Sequence, residues 1–235
     1  MIFRRSPAAA VPEDAPVAAA MTPSGTRASG SAPPGGGLIQ GRVCIVKDLS
    51  NPICCDTTRD ASGVKVTLGG THTPAVGPDH DGLFMIAAPV GRPVWRATGA
   101  IFVPSVMPWA TETTIPIVPD LVYDTARGSS GNVTIAEGQG SVVVRVVRGV
   151  APAAGVAATS ALVSANTVPL YDADNSALDW RQIGPTQSAG IVWFPGVNVT
   201  TTPAPITLTP MVGTPVTLSA SVETGAITFV TQDLQ

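Results

Sequence analysis

The sequence has little charge, few aromatic rings and almost no lysine. Charged residues make up 12% of its 235 residues and aromatic residues 5%, whereas about 25% charge is typical of globular domains. Lys47 and Lys65 are the two lysines, and no Lys or Arg follows Arg181. The formal net charge is -3 at pH 7, and a chain with this balance does not attract a phosphate backbone. We therefore expect no nucleic-acid partner.

Long apolar runs are also missing. No run approaches the roughly 18 apolar residues of a membrane-spanning helix, so no membrane span is predicted. Arg4 and Arg5 resemble the start of a signal peptide, but Pro7, Pro12 and Pro16 interrupt the apolar core that such a signal needs. Because no clear signal peptide is visible, we expect export by another route, release from the cytoplasm inside an assembled particle, or a misplaced start codon. The expected location is an extracellular particle such as a virion, or a bacterial cell surface.

The residue patterns of common active sites are absent as well. The chain contains no G-x-S-x-G nucleophile turn and neither of the glycine-rich loops that bind nucleotides. His72 and His80 are its two histidines, and no nucleophile accompanies them. The sequence therefore predicts a protein that is not an enzyme and that carries no cofactor.

The residues that are abundant favour β-structure. Val and Ala supply much of the 44% hydrophobic content, Thr is also frequent, and 24 Gly and 23 Pro interrupt the apolar runs. Branching at Cβ favours strands, while Gly and Pro favour turns and disfavour helix interiors. The composition predicts an all-β fold.

One pattern of glycines and alternating strands occurs twice. In the first copy Gly63 precedes an alternating strand and Gly82 precedes a second strand; Gly155 and Gly190 take these places in the second copy. The separation is 19 residues in the first copy and 35 in the second, so the second connection holds 16 extra residues, for an added turn, short helix or strand pair. Two tandem β-sandwiches are predicted.

Changes in composition set the domain boundaries. Residues 1–37 are rich in Ala, Pro and Gly, and form an extended arm that is disordered or is ordered by an assembly. Residues 38–123 form the first sandwich, residues 124–137 a linker, and residues 138–235 the second sandwich.

The first copy resembles a known family of β-sandwich domains. The resemblance rests on Gly41-Arg42-Val43, on the G-V-x-V-x-L strand at residues 63–68, and on the D-G-L-F-M-I hairpin at residues 81–86. These motifs resemble the carboxypeptidase regulatory-like domain, which is transthyretin-like (prealbumin-like). The likeness covers residues 38–120 and, more loosely, residues 138–235; an immunoglobulin-like sandwich produces similar alternation. It implies a non-catalytic module and supplies no functional residues.

Three cysteines leave one thiol without a partner inside the chain. A bridge from Cys44 to one of the adjacent pair Cys54 and Cys55 closes a short loop, and we take Cys54 as its partner. Zinc bound by the three cysteines with His72 or His80 is an alternative, although adjacent cysteines suit tetrahedral ligation poorly. Ordinary buried cysteines are the third alternative.

Two further features offer sites for a ligand. The segment Asp79, His80, Asp81, Gly82 has the residues of a tight turn, and it lacks the remaining ligands of a calcium loop. Trp109 and Trp180 lie among polar or turn residues and provide a candidate platform for stacking on sugar rings; the alternative is that they fill the core.

These features together predict a structural role. We expect a non-enzymatic subunit of a larger assembly, such as a virion, a contractile injection particle or a cell-surface appendage, with protein subunits as partners in a homo- or hetero-oligomer. The alternative is a secreted or surface accessory module that binds carbohydrate or another ligand.

Overall fold

Fifteen β-strands and one short α-helix form the described part of the protein, seen in a computed structural model. The structure describes residues 37–69, 77–87, 93–109, 113–131, 133–163, 168–173 and 180–235. The fold is mostly β, which confirms the class predicted from composition. None of the helices in these ranges has the length and hydrophobicity needed to cross a bilayer. The predicted arm, apart from Gly37, and His72 lie outside the described residues.

The first half of the chain surrounds one core with six strands. They are β1 (Leu38–Ile45), β2 (Lys65–Leu68), β3 (Leu83–Ala87), β4 (Val94–Gly99), β5 (Phe102–Pro108) and β6 (Thr114–Pro119). β1 pairs antiparallel with β3 and parallel with β6, while β6, β5, β4 and β2 follow one another as antiparallel neighbours. Trp95, Phe84 and Leu68 are the large side chains of this core.

The second half of the chain forms two sheets that face each other. Its strands are β7 (Gln139–Arg148), β8 (Ala151–Pro152), β9 (Val156–Thr159), β10 (Leu170–Asp172), β11 (Trp180–Arg181), β12 (Ile191–Asn198), β13 (Ala204–Pro210), β14 (Val216–Ala220) and β15 (Ile227–Asp233). β9, β13 and β14 form a separate three-stranded sheet. Its Ile206 and Leu208 meet Val144 and Phe194 of β7 and β12 in a second core.

The first strand of each half has one antiparallel and one parallel neighbour. β7, like β1, lies between an antiparallel neighbour, β12, and a parallel one, β15. The Val43 N–H donates to the Gly82 carbonyl at 2.7 Å, and the Val146 N–H donates to the Gly190 carbonyl at 2.8 Å. Both glycines have positive φ, +83° and +68°. The two glycines that the sequence pattern aligned therefore have matching surroundings.

One sheet continues from the first half into the second. β15 pairs parallel with β5 at Ile227 opposite Ser105, and with β7 on its other side. A third core combines Val118 and Ala126 of the first half with Trp193 and Phe229 of the second. The described residues from Gly37 onward accordingly lie within one compact unit.

The segment predicted as a linker starts inside a helix. Helix α1 (Asp120–Ser129) follows β6 directly, and Ala126 on its inner side is buried in the third core. The Ser and Gly residues that suggested a linker end this helix, where the Ser130 N–H and hydroxyl both donate to the Ala126 carbonyl. Their turn-forming character stops the helix without separating the halves.

The extra residues of the second copy form a strand pair, β10 with β11, which is one of the forms predicted for them. Asp172 at the end of β10 is 1% exposed. Its carboxylate accepts the main-chain N–H groups of Gln187, Ala189, Gly190 and Ile191 at 2.7 to 3.2 Å. Four donors compensate the cost of burying this carboxylate, so Asp172 holds the turn that leads into β12.

Candidate functional site

A cleft of about 580 Å³ lies between the two halves. β1, β5, β6 and the loop that follows β1 line one wall, and β7 and β15 line the other. Such a volume lies within the range of small-molecule sites, about 300–1,000 Å³. The cleft is the best candidate for a binding site in the described part of the chain.

The floor of the cleft is apolar. Met107, Val143 and Phe229 line it and are each less than 10% exposed. Ile53 lies at the rim and is 57% exposed. A ligand that contacts these side chains gains hydrophobic burial.

Two arginines line the same cleft. Arg145 is half-buried in the middle of β7, opposite Thr231 of β15, and Arg42 is exposed on β1. The Arg42 Nε–H donates to the Asp81 carbonyl at 3.3 Å, which leaves its terminal nitrogens available. Among the described residues, no carboxylate lines the cleft or forms an ion pair with either guanidinium. The cleft therefore carries net positive charge.

A disulfide anchors the loop at the rim. Cys44 of β1 is bonded to Cys55, and Cys54 is the free, exposed cysteine. The predicted Cys44–Cys54 pair is therefore wrong. The main chain of Cys55 pairs antiparallel with that of Val46, which follows β1, so Cys55 lies beside β1. The disulfide occupies two of the thiols proposed as zinc ligands, and the described residues contain no cluster of three metal-ligating side chains.

The segment Asp79, His80, Asp81, Gly82 forms a turn, in agreement with the turn interpretation. The Asp79 carboxylate accepts the Leu83 N–H at 2.7 Å, and the Gly82 N–H donates to the Asp79 carbonyl. His80 is exposed, with Nδ1 3.3 Å from an oxygen of Asp60. Hydrogen bonds from Ser62 hold the pKa of Asp60 below its ordinary value. These contacts stabilise the turn that leads into β3, and none of them brings a nucleophile to His80.

The tryptophans do not form the predicted platform. Trp180 is 8% exposed and packs against Trp193, with ring centroids 5.1 Å apart, so its predicted exposure is wrong. Trp180 is buried because it packs in the third core, which the two halves share. Trp109 is half-buried and stacks on the buried Trp95 at 5.7 Å. The core interpretation describes both rings better.

A second notable surface is the outer face of the three-stranded sheet. Its side chains are uncharged, and most are exposed: Ala157, Thr159, Pro205, Thr207, Thr209, Thr217 and Ser219. Three threonines form one row across the strands, Thr159, Thr207 and Thr217. We call this surface the threonine face.

The two edges of this sheet differ. At the β9 edge, the Tyr171 hydroxyl is bonded to the Ala158 N–H and C=O, and Thr186 is bonded to the Val156 N–H and C=O. The Tyr171 hydroxyl and the hydroxyl and main-chain N–H of Thr186 thus satisfy that edge. At the β14 edge, the antiparallel register turns the main-chain groups of Thr217 and Ser219 outward, and no described strand pairs with them. β14 is the open edge.

Comparison of the chain with protein-family models, with curated proteins and with solved structures finds no match. The site must therefore be interpreted from its own residues. Sequence reasoning did not identify the cleft, although Arg145 gives one signal: it is the single charge within the apolar run at residues 142–147.

Proposed function

We propose that this protein is a non-enzymatic structural subunit of a larger assembly, built from two β-sandwich modules of the carboxypeptidase regulatory-like type. The matching surroundings of Gly82 and Gly190, and the matching neighbours of β1 and β7, support two related modules. The pairing of β5 with β15 joins the two halves through one sheet, which suits a building block of a virion, an injection particle or a surface appendage.

The threonine face with its open β14 edge carries this proposal. Exposed edges are commonly protected by charged side chains, proline or a covering segment, because they otherwise pair with other chains. Side-chain hydroxyls protect the β9 edge of this sheet, whereas no described strand pairs with Thr217 and Ser219 at the β14 edge. A surface without charges needs little desolvation when another subunit covers it.

The partner that fits this edge is a second copy of the chain. Two β14 strands related by a two-fold axis pair antiparallel, and each offers the other the same main-chain donors and acceptors. Thr217 and Ser219 are small and uncharged, so neither repels its symmetry mate. Larger particles need further contacts beyond this pair.

Size-exclusion chromatography with light scattering on the full chain tests the proposal. We expect the wild type to form dimers or larger species as its concentration rises. Thr217→Lys places like charges on both sides of the interface and should give a monomer. Thr57→Lys, at an exposed site on the loop after β1, is the matched control and should leave association unchanged.

A wild-type protein that stays monomeric at every concentration would contradict assembly through β14. If such a monomer also binds glycans, the accessory-module alternative takes its place. If the wild type and Thr217→Lys associate equally, the interface lies on another surface and not at β14.

A further inference from the structure

We propose that the cleft between the halves binds a small organic carboxylate with an apolar chain. This site shares no residue with the threonine face, so it does not depend on the proposed assembly. Its ligand class follows from three properties of the cleft: unpaired positive charge, an apolar floor and hydroxyl groups at the side.

Arg145 provides the central charge. It is half-buried in β7, and its neighbour on the same face of the strand, two positions away, is the buried Val143. A guanidinium in such surroundings is normally paired, because removing a charge from water is costly. Arg145 has no carboxylate or carbonyl partner among the described residues. Its planar donors match an incoming carboxylate in two parallel hydrogen bonds.

Arg42 adds a second positive charge from the other half. It lines the cleft from β1, so the two guanidiniums belong to different sheet segments around one cavity. An anion between them is attracted by both, and the partial exclusion of water strengthens the attraction. A neutral ligand loses this contribution.

The apolar floor of the cleft indicates that the anionic group carries an alkyl chain. Val143 and Phe229 are 1% and 5% exposed and lie opposite each other on β7 and β15, and Met107 adds a flexible thioether from β5. An inorganic anion leaves this floor in contact with water. An alkyl chain covers it, at about 0.8 kcal/mol for each buried methylene.

Hydroxyl groups complete the site. Thr113, Thr114 and Thr231 line the cleft and can donate to a carboxylate oxygen that the arginines leave free. With a volume of about 580 Å³, the cavity accommodates a chain of medium length with its solvating water.

Isothermal titration of the full chain with octanoate tests the proposal. Octan-1-ol keeps the chain and removes the charge, so it should bind at least about tenfold more weakly. Hexanoate should bind more weakly by about fourfold for each missing methylene. Acetate should give no measurable heat at these concentrations.

Variants assign the binding to this cleft. Arg145→Met should weaken octanoate binding at least about tenfold without lowering the melting temperature, because the charge it removes has no described partner. Arg42→Gln, at an exposed position, should weaken binding by a smaller factor. Arg181→Gln, another exposed arginine, is the matched control and should bind as the wild type does.

A further pair tests the apolar contact. Ile53→Ser at the rim should weaken octanoate binding, whereas Ile183→Ser, which is 80% exposed and does not line the cleft, should not. The proposal fails if octanoate does not bind, if octan-1-ol binds equally well, or if Arg42→Gln and Arg181→Gln have the same effect. Weak association of acetate and octanoate alike would indicate an adventitious anion only.

Discussion

Arg96 and Glu223 form an ion pair between the two halves of the chain, 127 residues apart in sequence. The Arg96 Nε lies 2.8 Å from Oε1 and 3.1 Å from Oε2 of Glu223, and an Arg96 terminal nitrogen also donates to the Gly69 carbonyl at 3.4 Å. Arg96 belongs to β4, and Glu223 follows β14. A side-chain pair thus supplements the main-chain pairing of β5 with β15.

This pair should contribute little to stability. Both side chains are more than a third exposed, so water and salt screen the attraction. We expect a double-mutant cycle with Arg96→Gln and Glu223→Gln, measured by urea unfolding, to give a coupling of about 0.5–1 kcal/mol that falls at high salt. A coupling well above this range would mean that the ion pair, and not the shared sheet, holds the halves together.

Glycine should be essential at both turn positions. A Cβ on Gly82 lies 2.6 Å from the Val43 carbonyl oxygen, and one on Gly190 lies 2.5 Å from the Val146 oxygen. Because main chain blocks both sites and φ is positive, Gly82→Ala and Gly190→Ala should each destabilise the fold by about 2–4 kcal/mol. Gly128→Ala, in the helix and open to solvent, should instead stabilise by up to about 1 kcal/mol. Equal losses for all three variants in thermal unfolding would contradict this account.

Asp172→Asn should be strongly destabilising. The amide offers one acceptor oxygen to four main-chain donors, and its own N–H groups face some of those donors. We expect a loss of about 2–4 kcal/mol in the free energy of unfolding. Asp81→Asn, at an exposed turn position, provides the control and should change stability by less than about 0.5 kcal/mol. A mild effect of Asp172→Asn would show that the turn before β12 does not depend on a charged acceptor.

The disulfide should stabilise the loop at the rim of the cleft. It closes a segment with a sequence separation of 11 residues, for which chain entropy predicts about 3 kcal/mol. Cys55→Ala should lose this stability, while Cys54→Ser should match the wild type. Mass spectrometry after alkylation without reductant should find one modified residue, Cys54. Modification of Cys55 in the native protein would overturn the pairing.

Alkaline pH should destabilise the fold through Tyr123. Burial raises the pKa of its hydroxyl to about 12, from an ordinary value of 10.0, and the hydroxyl is bonded to Ser141 at 2.6 Å. The folded state holds its proton more tightly, so stability is full below pH 10 and falls between pH 10 and 12, as the unfolded chain loses the proton. Burial also raises the pKa of Tyr171, which adds to the effect. Tyr123→Phe should show a shallower loss than wild type across this range in urea unfolding.

Local pattern was enough to predict the class and the strands that follow Gly63 and Gly82, whereas their partners, β4 for β2 and β1 for β3, are set by pairing over longer distances in the chain. In Lys65–Leu68 and Leu83–Ala87 every second residue is buried, namely Val66, Leu68, Phe84 and Ile86, and the residues between them are partly or fully exposed. Alternation and turn glycines act through neighbouring residues, so they are visible in the chain itself. The same pattern aligns Gly82 with Gly190 in the sequence.

Contacts between residues far apart in the chain decided which cysteines are bonded and whether Trp180 is exposed. Cys54 and Cys55 are adjacent, so their distances along the chain from Cys44 do not show which of them is bonded to it. The main-chain pairing of Cys55 with Val46 places Cys55 beside Cys44. The exposure of Trp180 depends on Trp193, which joins it only when the core shared by the halves forms.

The cleft also depends partly on local sequence and partly on tertiary structure. The chain's residue order sets the strands, the turns and the single charge within the run at residues 142–147. Only tertiary structure brings β1 and β15 to opposite walls of one cavity, where Arg42 and Arg145 meet an apolar floor. Periodicity records which side of a strand faces inward, whereas the partner on that side is selected by packing between residues far apart in the chain.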